Sequence, residues 1–295
     1  MIKFFWGLTG SGTDRIIGKL GGWQGKDVMI PAQYYFSKRT MKFTLNPHIP
    51  KGVNDIFLDS SGFTLMSKWG DFPFSVEQYA EFLKKKGSLF DYAATMDYPC
   101  EPELWITGQK LIDIPVSERI RKTIENTSEL SNNYDFQCEI VPVIQGWELK
   151  EYLSCIERMH RRDLLTDYVA LGSMCTRVDA KKLFVKVVDY LHEKIDCKVH
   201  AFGFKITHLK SLAVQQRLYS SDSCAWTHNW GYDRTRPNGT KHIYATTNEE
   251  KVRNFLNYEE QINRILNLFN GQQTLLTTKT QNTIQDVIEK VEETS

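Results

Sequence analysis

Three aspartates stand where short apolar runs give out. Asp59 follows Ile56-Phe57-Leu58, Asp97 follows Tyr92-Ala93-Ala94-Thr95-Met96, and Asp222 follows Arg217-Leu218-Tyr219-Ser220 and Ser221. Three further runs end the same way: Ile140-Val141-Pro142-Val143-Ile144 at Gln145, Tyr168-Val169-Ala170-Leu171 at Gly172, and Val199-His200-Ala201-Phe202 at Gly203. A single aspartate after a strand is ordinarily a turn former or a helix cap. Three of them at equivalent strand ends of one sheet, with an amide at a fourth, would converge on one pocket mouth. A carboxylate there can attack an acetal carbon, move a proton as general acid and base, or accept the N–H groups of a ligand.

Such residues need a frame that brings strand ends together. Between the runs lie helical patterns. Ser75 and Gln78 form a capping box ahead of Val76, Tyr79, Phe82 and Leu83. Leu149, Tyr152, Leu153, Ile156 and Met159 recur at helical spacing, and Asp179 is placed to cap a helix burying Leu183, Phe184, Val187, Val188 and Leu191. Strand alternating with helix predicts a mostly parallel α/β sheet, whose buried strands read as near-continuous apolar runs. An open doubly wound sheet usually carries a glycine-rich first turn with GxGxxG spacing. Gly7-Leu8-Thr9-Gly10-Ser11-Gly12 lacks that spacing and reads as an entry loop, not a phosphate cradle. A (β/α)8 TIM barrel of about 250 residues puts its chemistry at the C-terminal strand ends, and it is the architecture expected here. Phe4 to Gly7 and Val28 to Pro31 supply its first strands. Residues 226 to 242 form a polar, aromatic and basic loop. Val252, Phe255, Leu256, Ile262, Ile265, Leu266 and Phe269 mark a closing helix, and Ile284, Val287, Ile288 and Val291 a terminal one. The expected division is a barrel domain over 1–270 and a C-terminal helical tail over 271–295.

Composition narrows the function classes. The 295 residues carry 37 basic and 36 acidic side chains, a formal charge of +1. That excludes a polybasic binder whose whole surface neutralises phosphates, but not an enzyme with a local basic rim. No apolar run approaches the roughly 18 to 20 residues of a membrane span, so no membrane partner is expected. The opening residues, soon interrupted by glycines, do not read as a signal peptide. The six cysteines are scattered without a C-x-x-C pair, which suits free thiols in a reducing compartment. A cytoplasmic location follows as the expectation.

The motifs resemble those of tRNA-guanine transglycosylases. Asp59-Ser60-Ser61-Gly62-Phe63 is similar to their Asp-Ser-Gly-Gly-Phe/Tyr-Gln element, and Val143-Ile144-Gln145-Gly146-Trp147 to their Val-Gln-Gly element. Ala170-Leu171-Gly172-Ser173 sits where their Gly-Gly-Leu loop contacts the purine. His200-Ala201-Phe202-Gly203 resembles the strand end preceding the nucleophile, and Ser221-Asp222-Ser223 the nucleophile element itself. The five elements keep their order over about residues 55 to 228. Gln-Gly-Trp, Leu-Gly-Ser-Met-Cys-x-Arg, His-x-Phe-Gly and Ser-x-Asp-Ser-x-Ala-Trp resemble more closely the bacterial and phage 7-deazaguanine DNA transglycosylases, often encoded by phages or mobile elements.

The resemblance implies a base exchange: guanine in DNA is replaced by a 7-deazaguanine of the preQ0 type. It makes Asp222 the nucleophile and Asp59 the general acid/base. Asp97 and Gln145 would read the Watson–Crick-side edge, with a backbone N–H of Gly172 or Ser173 donating to O6. Ser60, Gly146, His200 and Gly203 fall within the base-binding motifs, and Phe63 or Tyr98 would stack on the base. Arg177, Lys205, Arg234, Arg236 and Lys241 are the candidates for holding phosphates around a flipped nucleotide. The implied partners are DNA and the free base, with tRNA as the alternative; a homodimer or a modification-system partner is left open. The tRNA enzymes also carry a C-x-C-x2-C zinc motif with a later His. Here only Cys224, His228 and His242 lie in that region, so no cofactor and no metal of that type is expected, an unusual Cys/His zinc site being left open. The chain also leaves little length for an RNA-binding appendage. A non-catalytic nucleic-acid-binding barrel and a glycoside hydrolase using Asp59 and Asp222 remain the competing readings.

Overall fold

A computed structural model of the chain describes residues 2–10, 12–44, 46–102, 105–106, 110–111, 114–174, 177, 180–204, 206–232, 240–244 and 247–268. Its main sheet has strands β1 (Lys3–Gly7), β2 (Asp27–Pro31), β3 (Ile56–Asp59), β4 (Tyr92–Ala94), β5 in two pieces (Glu139–Val141 and Val143–Ile144), β6 (Tyr168–Leu171), β7 (Lys198–Ala201) and β8 (Ser220–Ser223). Every neighbouring pair is parallel. The order runs from the second piece of β5 through β6, β7, β8, β1, β2, β3 and β4 to the first piece of β5. The two edges are thus one strand, interrupted at Pro142, which has no N–H to give to a ladder. The sheet closes on itself as an α/β TIM-type barrel.

Helices α1 (Gly12–Lys19), α2 (Gly62–Trp69), α3 (Val76–Lys86), α4 (Val116–Asn133), α5 (Leu149–His160), α6 (Ala180–His192), two short turns α7 (Ile206–Leu209) and α8 (Leu212–Gln215), and α9 (Asn248–Leu268) surround it. Period-two alternation splits each strand between two cores. Phe5, Met29, Phe57, Ala94, Val141, Val143, Tyr168 and Ala170 fill the lumen. The intervening residues, among them Phe4, Trp6, Ile30 and Leu58, pack against the helices. Helix α9 closes the ring as its stripe predicts. Phe255 sits 4.8 Å from Trp6, 5.2 Å from Trp23 and 5.5 Å from Trp226, ring centre to ring centre.

The Ser75–Gln78 capping box is present in full. Two expectations shift. The last strand starts at Ser220, not Arg217, because Leu218 N–H turns back to the Val214 carbonyl and Arg217 reaches the surface to bond Asp189. Asp222 therefore lies inside β8, paired in register with Phe5. The region 226–242 holds a short helical turn and two antiparallel strands, His228–Tyr232 and Thr240–Tyr244, rather than an irregular loop. Trp226 is buried, and its Nε1–H donates to the Gly7 carbonyl at 3.1 Å. Asp179, the tail 271–295 and its terminal-helix residues lie outside the described residues. No helix among those described is long and apolar enough to cross a membrane.

Candidate active site

The strand ends converge as the spacing requires. Alternation turns Ser220 and Asp222 of β8, His200 of β7 and Asp59 of β3 toward the barrel axis, with Asp59 and Asp222 at its C-terminal mouth. Gly203, whose positive φ of 62° turns the chain just after β7, donates its N–H to Asp222 Oδ1 at 2.7 Å. From beneath, His200 Nε2 lies 3.3 Å from the same oxygen. The other ring nitrogen, Nδ1, is 2.8 Å from Ser220 Oγ, which in turn is 2.6 Å from the Tyr168 hydroxyl. The imidazole is completely buried and ringed by Phe5, Phe57 and Phe202. His200 is thus sealed beneath the mouth, and its expected place among the base contacts is corrected: it packs against Asp222, and its Nε2 makes no hydrogen bond among the described residues. Gly203 orients the carboxylate.

Asp59 is the perturbed acid of the site. Burial, then the neighbouring Asp97 and Asp222 carboxylates, push its pKa up to about 7, against a hydrogen bond from the Ser61 backbone. Such a group exchanges protons readily at neutral pH.

Asp97 is buried at the hub of a polar chain. Ser60 Oγ donates to its Oδ1 at 2.7 Å and Gln145 Nε2 to its Oδ2 at 2.5 Å. Burial raises its pKa even so. Ser173 Oγ lies 2.8 Å from both Gln145 Oε1 and Glu101 Oε2, and accepts the Cys100 N–H at 2.8 Å. One hydroxyl carries one proton and cannot satisfy both oxygens. Burial raises the pKa of Glu101, against the hydrogen bond that Ser173 donates to it. The Gln145 amide turns its NH2 toward Asp97 and its Oε1 toward Ser173.

Close approach explains the glycines. A Cβ on Gly62 would sit 2.3 Å from the Asp97 carbonyl oxygen, so α2 could not enter against Asp97 with any other residue. A Cβ on Gly172 would meet Gln145 Nε2 at 2.1 Å. Gly146 is required for helix packing: its Cβ would meet the Tyr152 backbone nitrogen at 2.7 Å. Tyr152 then props the next loop, its hydroxyl donating to the Gly172 carbonyl at 2.7 Å. The Gly172 N–H is spent on the Ile144 carbonyl. It is therefore not available to a base carbonyl. Ser61 holds φ at 71°, a glycine-like conformation at the position where the resembling motif carries glycine. Its hydroxyl accepts the Gln33 N–H at 3.1 Å.

Phe63, the second residue of α2, is 44% exposed beside this chain, whereas Tyr98 is buried, its hydroxyl donating to Asp71. Phe63 alone stays available for stacking. In the entry loop the Thr9 and Gly10 N–H groups bond Asp14 Oδ2 at 2.9 and 2.6 Å, so a carboxylate of the protein already occupies them. Arg177 is half-buried, its guanidinium 4.2 Å over the Trp147 ring and bonded to the Trp147 carbonyl. It ties the loops after β5 and β6 together. Lys205, Arg234 and Arg236 lie outside the described residues, as does the side chain of Lys241. Cys100, Cys138, Cys155, Cys197 and Cys224 are free thiols. Among the described residues no three His, Cys, Asp or Glu side chains come together as a metal site.

Glu101, Tyr168 and Ser220 were not expected here. The signal lay in polar residues inside runs that a lumen should keep apolar: the serines at 220 and 221, and a tyrosine opening β6.

Carboxylates at a barrel mouth, one with its pKa raised to about 7 and one held by the Gly203 N–H, agree with the transglycosylase motifs. The family model DpdA, described as DeoxyPurine in DNA protein A, matches residues 27–293. The chain belongs to the DpdA family. That membership bears out the resemblance to DNA guanine transglycosylases, relatives of the tRNA-guanine enzymes. No curated protein matches this DpdA-family chain. Among solved structures it is similar to the carboxyl transferase domain of Rhizobium etli pyruvate carboxylase with 3-bromopyruvate, at 11% identity and a TM-score of 0.41. That match covers 90% of this chain, which spans about half, 47%, of the other.

Proposed function

We propose that this chain exchanges guanine in DNA for a free 7-deazaguanine base of the preQ0 type, through a covalent intermediate on Asp222. The observation that carries the reading is the pairing of two mouth carboxylates with different environments. Asp222 is aimed by the Gly203 N–H, with His200 3.3 Å beneath it, while the pKa of Asp59 is pushed up to about 7.

The target nucleotide leaves the base stack to enter the mouth. An Asp222 oxygen attacks C1′ as the bond from C1′ to the purine nitrogen breaks. Asp59 gives its proton to the departing guanine. The incoming base returns a proton from the equivalent nitrogen to Asp59 as that nitrogen attacks C1′ and the aspartyl ester breaks. Bond order, charge and protons are restored, so no nucleotide triphosphate is needed. Asp97 accepts N–H groups of the purine edge, and the Gln145 amide offers N–H toward its carbonyl, a pattern adenine does not match. The Ser173 N–H donates to the same carbonyl, and Phe63 stacks on the ring.

Labelled guanine supplied with duplex DNA or with tRNA tests the reading. Label is expected in DNA. Label in tRNA only refutes it.

A further inference from the structure

The connection from β2 to β3 leaves the barrel at the catalytic face, since Pro31 at the end of β2 is in register with Asp59. From Val28 through Asn54 it contains no acidic residue, yet it carries Lys38, Arg39, Lys42 and Lys51. Its centre is a short hairpin, Phe36–Ser37 paired antiparallel with Lys42–Phe43. The hairpin is set rigidly by aromatic rings on its inner side. Phe43 stacks on Phe82 of α3 at 4.6 Å, and Phe36 and Phe43 lie 5.0 and 4.8 Å from Phe74. Gln78, in the first turn of α3, bonds the Met41 carbonyl at 3.1 Å. The outer side is different: residues 37 to 42 are all exposed. Lys38 lies over the ring of Trp69, itself 40% exposed at the end of α2. Lys42 shares a surface groove with Glu77, Glu81, Lys85 and Lys86. None of Lys38, Arg39 and Lys42 pairs with a carboxylate among the described residues. A chain of net charge +1 therefore carries a cationic and aromatic prong on the connection that leaves the barrel next to Asp59.

We propose that this hairpin grips the DNA backbone beside the flipped nucleotide, with Lys38, Arg39 and Lys42 neutralising phosphates and Trp69 offering a stacking face to an adjacent base. The proposal rests on the DNA-exchange reading of the site. Phosphate contacts by basic side chains set register and affinity without reading sequence, and an aromatic face accepts any base. Held by its ring cluster, the prong needs little ordering on contact.

The test compares the full chain with the triple variant Lys38→Gln/Arg39→Gln/Lys42→Gln, measuring affinity for a fluorescent DNA duplex across salt concentrations. Each neutralised phosphate adds about 0.9 to the slope of log affinity against log salt. The variant's slope is expected to be shallower by roughly 2 to 3, with affinity at low salt down tenfold or more. The charge-preserving variant Lys38→Arg/Arg39→Lys/Lys42→Arg keeps the wild-type slope. Neutralising Lys19, Arg161 and Arg162, at the opposite end of the barrel, leaves it unchanged. Melting curves establish that each variant folds. A wild-type slope in the first triple variant, or an equal loss in the opposite-end variant, overturns the proposal. Guanine exchange into DNA by the wild type is scored separately: its absence refutes the reading of the site, while exchange with an unmoved slope refutes the hairpin's role alone.

Discussion

Replacing Asp59 by asparagine should make the protein more stable while disabling it. The side chain keeps its shape and loses its titration. In the unfolded chain Asp59 ionises near its ordinary value of 3.8, in the folded one only near 7. Between those values the native state holds a proton that the unfolded state has released. Stability therefore falls as pH rises through the window, by about 1.4 kcal/mol per pH unit and about 4 kcal/mol in all. Asp59 reaches solvent through the mouth, and screening there reduces the figure to about 2 kcal/mol. Above about pH 7 both states are ionised and the cost is constant. The asparagine variant escapes it. With a melting entropy of about 2.1 cal/mol/K per residue, 2 kcal/mol corresponds to roughly 3 °C for a chain of this length. The variant should melt with the wild type at pH 4, rise above it between pH 4 and 7, and keep a fixed advantage at higher pH. Exchange should fall on the order of a hundredfold to ten-thousandfold, the usual contribution of a general acid and base. Calorimetry from pH 4 to 9 checks the curve. An asparagine variant that is equally or less stable at pH 8 would refute the claim that burial and the neighbouring carboxylates hold Asp59 protonated.

Two further perturbations separate support from contact. Gly62→Ala drives a methyl into backbone, the Asp97 carbonyl, and should cost roughly 1–3 kcal/mol by overpacking. Gly172→Ala meets only the end of the Gln145 side chain, so denaturant midpoints should shift less while guanine affinity falls by at least tenfold, about 1.4 kcal/mol; the reverse ranking would contradict the geometry. His200→Gln should lower kcat on the order of tenfold or more with KM for DNA unchanged, because the imidazole lies beneath Asp222 and away from the mouth. A change confined to KM would return His200 to the base contacts.

Much of this frame was legible in advance. The runs ending at Asp59, Asp97, Gln145 and Gly172 carry continuous apolar residues, the mark of strands buried on both faces, and each is a barrel strand. Helix α4 is poorly marked in the sequence because its inward stripe is partly polar. Thr123 accepts the Tyr98 N–H, and Thr127 bonds Thr95 beyond β4, so threonines serve where leucines would have shown the period. The start of β8 is hidden for a related reason: a strand whose inward residues are Ser220 and Asp222 has no hydrophobic pattern to locate its ends. The roles of His200 and Gly172 could not come from spacing. Depth beneath Asp222 and the prior commitment of one N–H to Ile144 exist only once the barrel is closed.

The central claim is that Asp222 becomes joined to the sugar. Denaturing mass spectrometry of the protein incubated with guanine-containing DNA, without acceptor base, tests it most directly. The expected result is a protein–DNA adduct that maps to the peptide bearing Asp222, disappears when 7-deazaguanine is added, and is absent from Asp222→Asn. An adduct mapped to Asp59, or guanine exchange persisting in Asp222→Asn, would contradict it.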